Sequence, residues 1–214
     1  MSMPDAKETA DKTIKLLKKE YPAAKIQLLH KNPLELMVAT ILSAQCTDKR
    51  VNIVTKELFK KYRAIDDYAD ADRKAFEQAI RSTGFYRNKA KNIISACKII
   101  RERHNGKVPH SMEELVQLPG IARKTANIIL SGAFGRLDGI AVDTHVARLS
   151  QRLGLSKNKD PVKIELDLMQ IVPKREWWSI STLLINHGRA VCTARKPKCN
   201  DCILSASCPS AFRF

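Results

Sequence analysis

The sequence shows no membrane-spanning run, no secretory-leader pattern at its start and no balancing complement of acid. No run approaches the roughly 18 consecutive apolar residues of a spanning helix. Residues 1–11 are polar and acid-bearing, without the basic-then-apolar order of a signal peptide. These absences lead us to expect an intracellular protein, cytoplasmic or nucleoid-associated, with no membrane partner. In that compartment the six cysteines are expected to be reduced, metal-bound or buried rather than paired in disulfides. Eight glycines and nine prolines are too few for a collagen-like or low-complexity chain. Strand-like alternation is scarce, and there is no internal repeat and no long linker. Apolar residues make up 44% of the 214 residues, enough for a packed core in one large domain or two small ones.

The shortage of acid is the first functional clue. Lys and Arg total 38 against 22 Asp and Glu, a formal charge of +16. Such an excess favours an anionic partner, nucleic acid or an acidic membrane surface. It is densest over residues 73–107, where ten Lys and Arg face only Glu77 and Glu102. Charge alone does not separate this from a generally basic soluble protein.

The apolar periodicity is helical nearly throughout, so the fold class is all-α. Asn32-Pro33-Leu34-Glu35 supplies an N-cap, a first-turn proline and a capping-box glutamate, and predicts a helix to about Ala44. Further helices are expected over 49–62, from a cap at Asp70 to about Arg81, and over 87–103, ending at Asn105-Gly106. Ser111 and Glu114 form a second capping box. Leu118-Pro119-Gly120 interrupts the pattern sharply. Helices then follow over 123–134, 144–153, 161–171 and 175–191, with Asp143 and Asp160 as their signals. Beyond Cys192 the chain is short, cysteine-rich and irregular.

Cys192, Cys199, Cys202 and Cys208 are spaced C-x6-C-x2-C-x5-C. Four soft thiolates this close suit an iron–sulfur cluster or a tetrahedral zinc ion. The segment has few apolar residues with which to bury four unligated thiols, and the spacing differs from paired Cys-x2-Cys zinc sites. Cys46 and Cys97 lie within apolar helical stretches and are expected to be packing residues. Arg195, Lys196 and Lys198 sit between the first two cysteines. A ligand-pinned loop there would turn them toward a phosphate backbone, although a solvated basic loop has the same composition.

Residues 115–126 spell helix, tight turn, helix. Gly120 and Ala122 are small enough for close backbone approach, and the amides opening the second helix lack intrahelical partners and can donate to a phosphate. Plain turns share this pattern. Lys124 falls in the first turn, where the helix dipole and Arg123 both disfavour an ammonium and favour the nucleophilic amine. A phosphate-contacting lysine would sit there equally well. Asp143 follows an apolar run and precedes Thr144-His145-Val146. Its commonest job is an N-cap, and a carboxylate there also serves as a base or stabilises positive charge.

Together these segments resemble the endonuclease III family of helix-hairpin-helix DNA glycosylases. The resemblance is carried by residues 118–126, by Val142-Asp143-Thr144-His145-Val146, by Leu42-Ser43-Ala44-Gln45-Cys46-Thr47-Asp48, by Gly84-Phe85-Tyr86 followed by Lys89-Ala90, and by the four-cysteine spacing. It spans essentially the whole chain, in order.

The resemblance implies a two-lobed all-α helix-hairpin-helix glycosylase fold with a [4Fe-4S] cluster loop. One lobe is a six-helix barrel over residues 26–136; the other, over 1–25 and 137–214, carries the cluster, and damaged duplex DNA lies across the cleft between them. Implied roles follow residue by residue. Lys124 is the nucleophile and Asp143 the general base or electrostatic partner. Cys192, Cys199, Cys202 and Cys208 ligate the cluster. Gln45 fills the gap left by a flipped nucleotide and Phe85 wedges into the stack. Gly120, Ala122, Arg123, Thr125, His145, Arg195, Lys196 and Lys198 contact DNA.

The implied activity is excision of oxidised pyrimidines by a monomer, followed by β-elimination at the abasic site through a lysine Schiff base. A glycosylase for alkylated or mismatched bases is the nearest alternative. A cluster-bearing DNA-binding or redox-sensing module, without catalysis, is the alternative of another class. Two positions depart from the family pattern: Ala122 stands where the hairpin usually has a second glycine, and Phe85 where leucine is common.

Overall fold

The computed structural model describes residues 5–24 and 27–213, and among these there is no strand. The helices, in chain order, are α1 (Ala6–Glu20), α2 (Pro33–Leu42), α3 (Asp48–Lys61), α4 (Ile65–Ala69), α5 (Arg73–Ala79), α6 (Tyr86–Arg103), α7 (Met112–Leu115), α8 (Arg123–Phe134), α9 (Thr144–Arg152), α10 (Pro161–Ile171) and α11 (Trp177–Ala190). Short 3-10 turns occur at Arg81–Thr83, Lys174–Glu176, Cys199–Asp201 and Ser205–Ser207. The chain divides into two compact units, Ile26–Asp138 and Met1–Lys25 with Gly139–Phe214.

In the unit Ile26–Asp138, α2 is the central rod. It buries eight of its ten residues, from Leu34 to Leu42, as expected for a helix that is apolar all round. α8 packs along it through Ala126, Ile129 and Leu130. α6 contributes Ile93, Ala96, Cys97 and Ile100 to the same core. Tyr62, Tyr68 and Phe76 close one region as an aromatic trio with centroids 5.1–5.9 Å apart. Capping explains the start of α2: Asn32 Oδ1 accepts from the Glu35 amide at 2.9 Å, and Glu35 Oε2 accepts from the Lys31 amide at 2.6 Å.

The other unit has its own core, built on Leu17 of α1, Val146 and Leu149 of α9, Ile164 and Leu168 of α10, and Ile180 and Leu184 of α11. Leu204 belongs to this core, and Cys192, Cys202 and Cys208 pack against it. Asp160 caps α10 by accepting from the Val162 and Lys163 amides, with Pro161 at the first position.

Helix placement differs from expectation around Asp70 and at the end of α2. The sequence assigns a cap to Asp70 and one helix to about Arg81. Instead, burial of Ile65 and Tyr68 holds a separate α4 over the preceding residues, leaving Asp70 just past its end. The next available cap is Asp72, whose Oδ1 accepts from the Ala75 amide at 2.8 Å, and α5 then buries Phe76. The Asp70 carboxylate pairs instead with Arg101 of α6 at 2.8 Å. α2 also ends at Leu42 rather than Ala44, because Ser43 and Ala44 begin a turn.

Candidate functional site

The hairpin joins α7 to α8, anchored by buried Leu118 and Ile121. Gly120 has φ +82, and a Cβ there would lie 2.9 Å from the Asn92 Cβ of α6, so glycine is required both for the backbone angle and for the approach. Ala122, the N-cap of α8, is extended at φ −88 and ψ 169, a conformation open to any residue. Alanine thus stands there without backbone strain. Being alanine, it offers no side-chain oxygen to the first turn, and no side-chain cap bond forms. Lys124 is exposed in that turn, flanked by half-buried Arg123 and Thr125.

In the same unit, three non-glycine residues lie in the left-handed region: Asn105 at φ 49, just past the end of α6, and, at two loop tips, Gln45 at φ 52 and Phe85 at φ 48. Such angles are uncommon outside glycine and cluster at functional sites. Gln45 is exposed, and Phe85 leaves 62% of its surface in solvent, a large apolar exposure for a single residue. A surface groove of about 520 Å³ bordered by Leu29, Asn52, Phe59 and Lys60 contains none of the expected site residues.

In the unit that carries α9, half-buried Asp143 is the N-cap. Its Oδ1 accepts from both the His145 and Val146 amides at 2.8 Å, which fixes the carboxylate at the positive end of the helix. Burial holds the His145 imidazole below its ordinary pKa, an effect that the neighbouring Asp143 charge opposes. One turn on, Arg148 donates to the Gly188 carbonyl at 3.0 Å and the Cys192 carbonyl at 2.9 Å, and its Nη2 lies 3.1 Å from His145 Nδ1.

The four cysteines converge. Cys192, Cys199, Cys202 and Cys208 line one small cavity with Pro197, Ser205 and the Arg152 side chain. No three of the described His, Cys, Asp or Glu residues stand close enough to hold a single metal ion. Four soft thiolates lining one cavity are the donor set that an iron–sulfur cluster takes. Burial raises the pKa of the Cys202 and Cys208 thiols, and the neighbouring cysteines add to that. A polynuclear cation relieves such mutual repulsion and draws off the protons.

The loop between the first two cysteines is gripped from within. Arg152 Nη1 donates to Cys192 Sγ at 3.2 Å and to the Thr193 carbonyl at 2.8 Å, while Nη2 reaches the Ala194 carbonyl at 2.9 Å. The Lys198 amide closes the loop on the Val191 carbonyl at 3.1 Å. Arg195, Lys196 and Lys198 all stand exposed on it. Beneath it, buried His187 bridges Cys202 Sγ (3.2 Å from Nε2) and the Tyr21 hydroxyl (3.1 Å from Nδ1), and burial lowers the pKa of this imidazole to about 4.

Sequence inspection misses Lys89, Arg148, Arg152 and His187 as contributors. Arg148 and Arg152 leave a trace in their i, i+4 spacing on α9, ahead of the cysteine segment. Lys89 leaves a clearer one: it lies on the apolar stripe of α6 with Ile93, Cys97 and Ile100. His187 carries no local signal.

Residues 38–174 match the HhH-GPD superfamily of base excision DNA repair proteins, and residues 192–208 match the iron–sulfur binding domain of endonuclease III. The chain is 55% identical to endonuclease III of Synechocystis sp. over 209 residues, which cover 98% of this chain and 95% of the relative. It is 50% identical to endonuclease III of Bacillus subtilis over 189 residues, covering 88% and 86%. A solved structure of a trapped endonuclease III–DNA covalent intermediate aligns with a TM-score of 0.92 and 44% identity, covering 97% of both chains. The chain belongs to the endonuclease III family of helix-hairpin-helix proteins and has that family's [4Fe-4S] cofactor.

Proposed function

We propose that the chain is a bifunctional DNA glycosylase and abasic-site lyase of base excision repair, which acts as a monomer inside the cell on oxidised or ring-saturated pyrimidines in duplex DNA. The observation that carries this reading is Lys124, an exposed amine in the first turn of the second hairpin helix. It stands in a chain 44% identical to a protein captured as a covalent DNA intermediate.

The first-turn amides of α8, with Gly120, Ala122, Arg123 and Thr125, hold phosphate oxygens, as do Arg195, Lys196 and Lys198 on the cysteine loop. His145 supports the same backbone grip. The target nucleotide leaves the stack because its glycosidic carbon is inaccessible within a duplex. Phe85 enters as an apolar wedge and Gln45 occupies the emptied position.

Lys124 Nζ then attacks C1′ of the sugar, the N-glycosidic bond breaks, and the base leaves with the bonding electron pair and a proton. Asp143, held by its two backbone bonds, offers its second oxygen as a general base or to the positive charge that develops on the sugar. The C1′–O4′ bond breaks, O4′ takes its electron pair and a proton, and the Lys124 nitrogen lone pair forms a protonated imine with C1′. Loss of a C2′ proton expels the 3′-phosphate and cuts the strand, and water releases the enzyme. The four cysteines Cys192, Cys199, Cys202 and Cys208 hold the cluster, which pins the loop that presents the three basic residues.

Borohydride reduction during reaction with a duplex bearing thymine glycol or an abasic site is expected to give a covalent adduct of one protein and one strand. Lys124→Gln is expected to abolish it while retaining DNA affinity. An adduct formed undiminished by Lys124→Gln would overturn the assignment.

A further inference from the structure

Lys89 lies in the first turn of α6, buried to 4% exposure. A helix N-terminus is an unfavourable place for a cation, and burying an ammonium is costly without partners. Burial accordingly holds the Lys89 pKa below the ordinary lysine value. The partners it finds are carbonyl oxygens: Nζ donates to Leu42 O at 2.8 Å and to Thr83 O at 2.8 Å. Leu42 is the last residue of α2, and Thr83 the last of the 3-10 turn Arg81–Thr83. Both oxygens are C-terminal carbonyls, which carry the negative ends of their dipoles and accept readily from a cation. One ammonium therefore caps two helical segments at once.

These two segments lead directly into the strained loop tips. Three residues beyond Leu42 comes Gln45 at φ 52, and two beyond Thr83 comes Phe85 at φ 48. The Lys89 backbone joins the same arrangement, since its amide donates to the Phe85 carbonyl at 3.1 Å. Left-handed non-glycine residues persist only where the surroundings over-determine them. Lys89 supplies that determination from both sides.

We propose that Lys89 is a positioning residue that locks Gln45 and Phe85 into a single rigid insertion unit, so that wedge and gap-filler enter the duplex together. The proposal rests on the insertion roles given above to Gln45 and Phe85. Lys89 touches neither DNA nor the reacting atoms. It removes the entropy that two independent loops would lose on insertion, and so raises the fraction of encounters that yield an extruded nucleotide.

The test uses the cluster-loaded full chain and a duplex in which 2-aminopurine flanks a tetrahydrofuran abasic analogue. Unstacking by an inserted side chain raises the fluorescence. Lys89→Met is expected to lose most of that rise at saturating protein and to lower kcat on a damaged duplex about tenfold or more. Its affinity for undamaged duplex and the salt dependence of that binding should stay within about twofold, because no phosphate contact is removed. Adding Lys89→Met to Phe85→Ala should cause little further loss, since both act on one event. Lys89→Arg, which keeps charge and donors, should restore part of the signal. Should Lys89→Met fail to fold, Lys89→Gln retains a donor for one carbonyl, and the same loss of fluorescence is expected. A folded Met or Gln variant with full fluorescence and full kcat would overturn the clamp. If Phe85→Ala itself leaves the fluorescence intact, the insertion reading fails first and the clamp with it. If Phe85→Ala loses the signal and the Lys89 variants do not, only the clamp fails.

Discussion

Gly120→Ala isolates what the hairpin turn requires. Two costs meet at this residue. The backbone sits at φ +82, in the region where an L side chain presses on its own carbonyl, which costs roughly 1–2 kcal/mol. The added methyl would also lie 2.9 Å from Asn92 Cβ and 3.0 Å from Asn92 Nδ2, well inside ordinary contact. Overpacking of this kind costs about 1–3 kcal/mol. The two together predict a loss of about 2–5 kcal/mol.

Part of that loss can be recovered. Asn92 sits on the neighbouring α6 and is half-buried. Shortening it to alanine removes Nδ2 and Cγ from the collision but leaves the φ cost and the Cβ contact. A double-mutant cycle over Gly120→Ala and Asn92→Ala should therefore show coupling of about 1 kcal/mol, with the double variant less damaged than the sum of the singles. Ala122→Gly, two residues away on extended backbone, is the control and should move stability by no more than a few tenths of a kcal/mol. Urea unfolding by circular dichroism reads the parent and all four variants. DNA titration at two salt concentrations then shows whether the displaced turn misaims the first amides of α8. A Gly120→Ala protein within about 0.5 kcal/mol of the parent, or a cycle without coupling, would refute the argument that sterics and backbone angle select glycine here.

Asp143→Asn should keep the helix cap, because an amide oxygen accepts from the His145 and Val146 amides as a carboxylate does, and stability should fall by less than about 1 kcal/mol. Turnover should fall by about 100-fold or more with little change in DNA affinity, and single-turnover kinetics at unchanged chemistry would remove the carboxylate from the mechanism. Replacing Arg195, Lys196 and Lys198 together by glutamine should flatten the salt dependence of binding by up to about three phosphate contacts, each worth a slope of ~0.9; an unaltered slope in a fluorescence titration would mean the loop does not meet the backbone. Tyr68 buries a hydroxyl that finds no hydrogen-bond partner among the described residues, so Tyr68→Phe should raise stability by about 1 kcal/mol, and a lower melting temperature by calorimetry would contradict that bookkeeping.

Legibility in the sequence follows the range of the interactions. The helices with strong local signals appear where periodicity and caps put them: Asn32 opens α2, Asp143 opens α9, and Asp160-Pro161 opens α10. The misplacement at Asp70 arose because two aspartates two residues apart both suit an N-cap, and the choice between them was made by burial of Tyr68 and Phe76, a tertiary effect. The cysteine cavity is legible because its spacing is local. Lys89 was illegible as a clamp, because its acceptors lie 47 and 6 residues away and are carbonyls, which every residue possesses. The same holds for Arg148, whose acceptor at Cys192 is 44 residues distant.

Sequence inspection also sets structural and chemical duties against each other where the structure joins them. Asp143 can be weighed as a helix cap or as a catalytic carboxylate, yet the two backbone bonds to Oδ1 are what would hold Oδ2 still enough to act. Gly120 is a turn residue, and the turn is what leaves the first amides of α8 open to an anion. A buried lysine that caps two helix ends is a structural device by any local criterion, and its product is the spacing of two loop tips. In each case the common structural job supplies the rigidity on which the rarer chemical job depends. Substitutions that preserve the first and remove the second, such as Asp143→Asn, therefore separate the two more cleanly than alanine does, since alanine removes both at once.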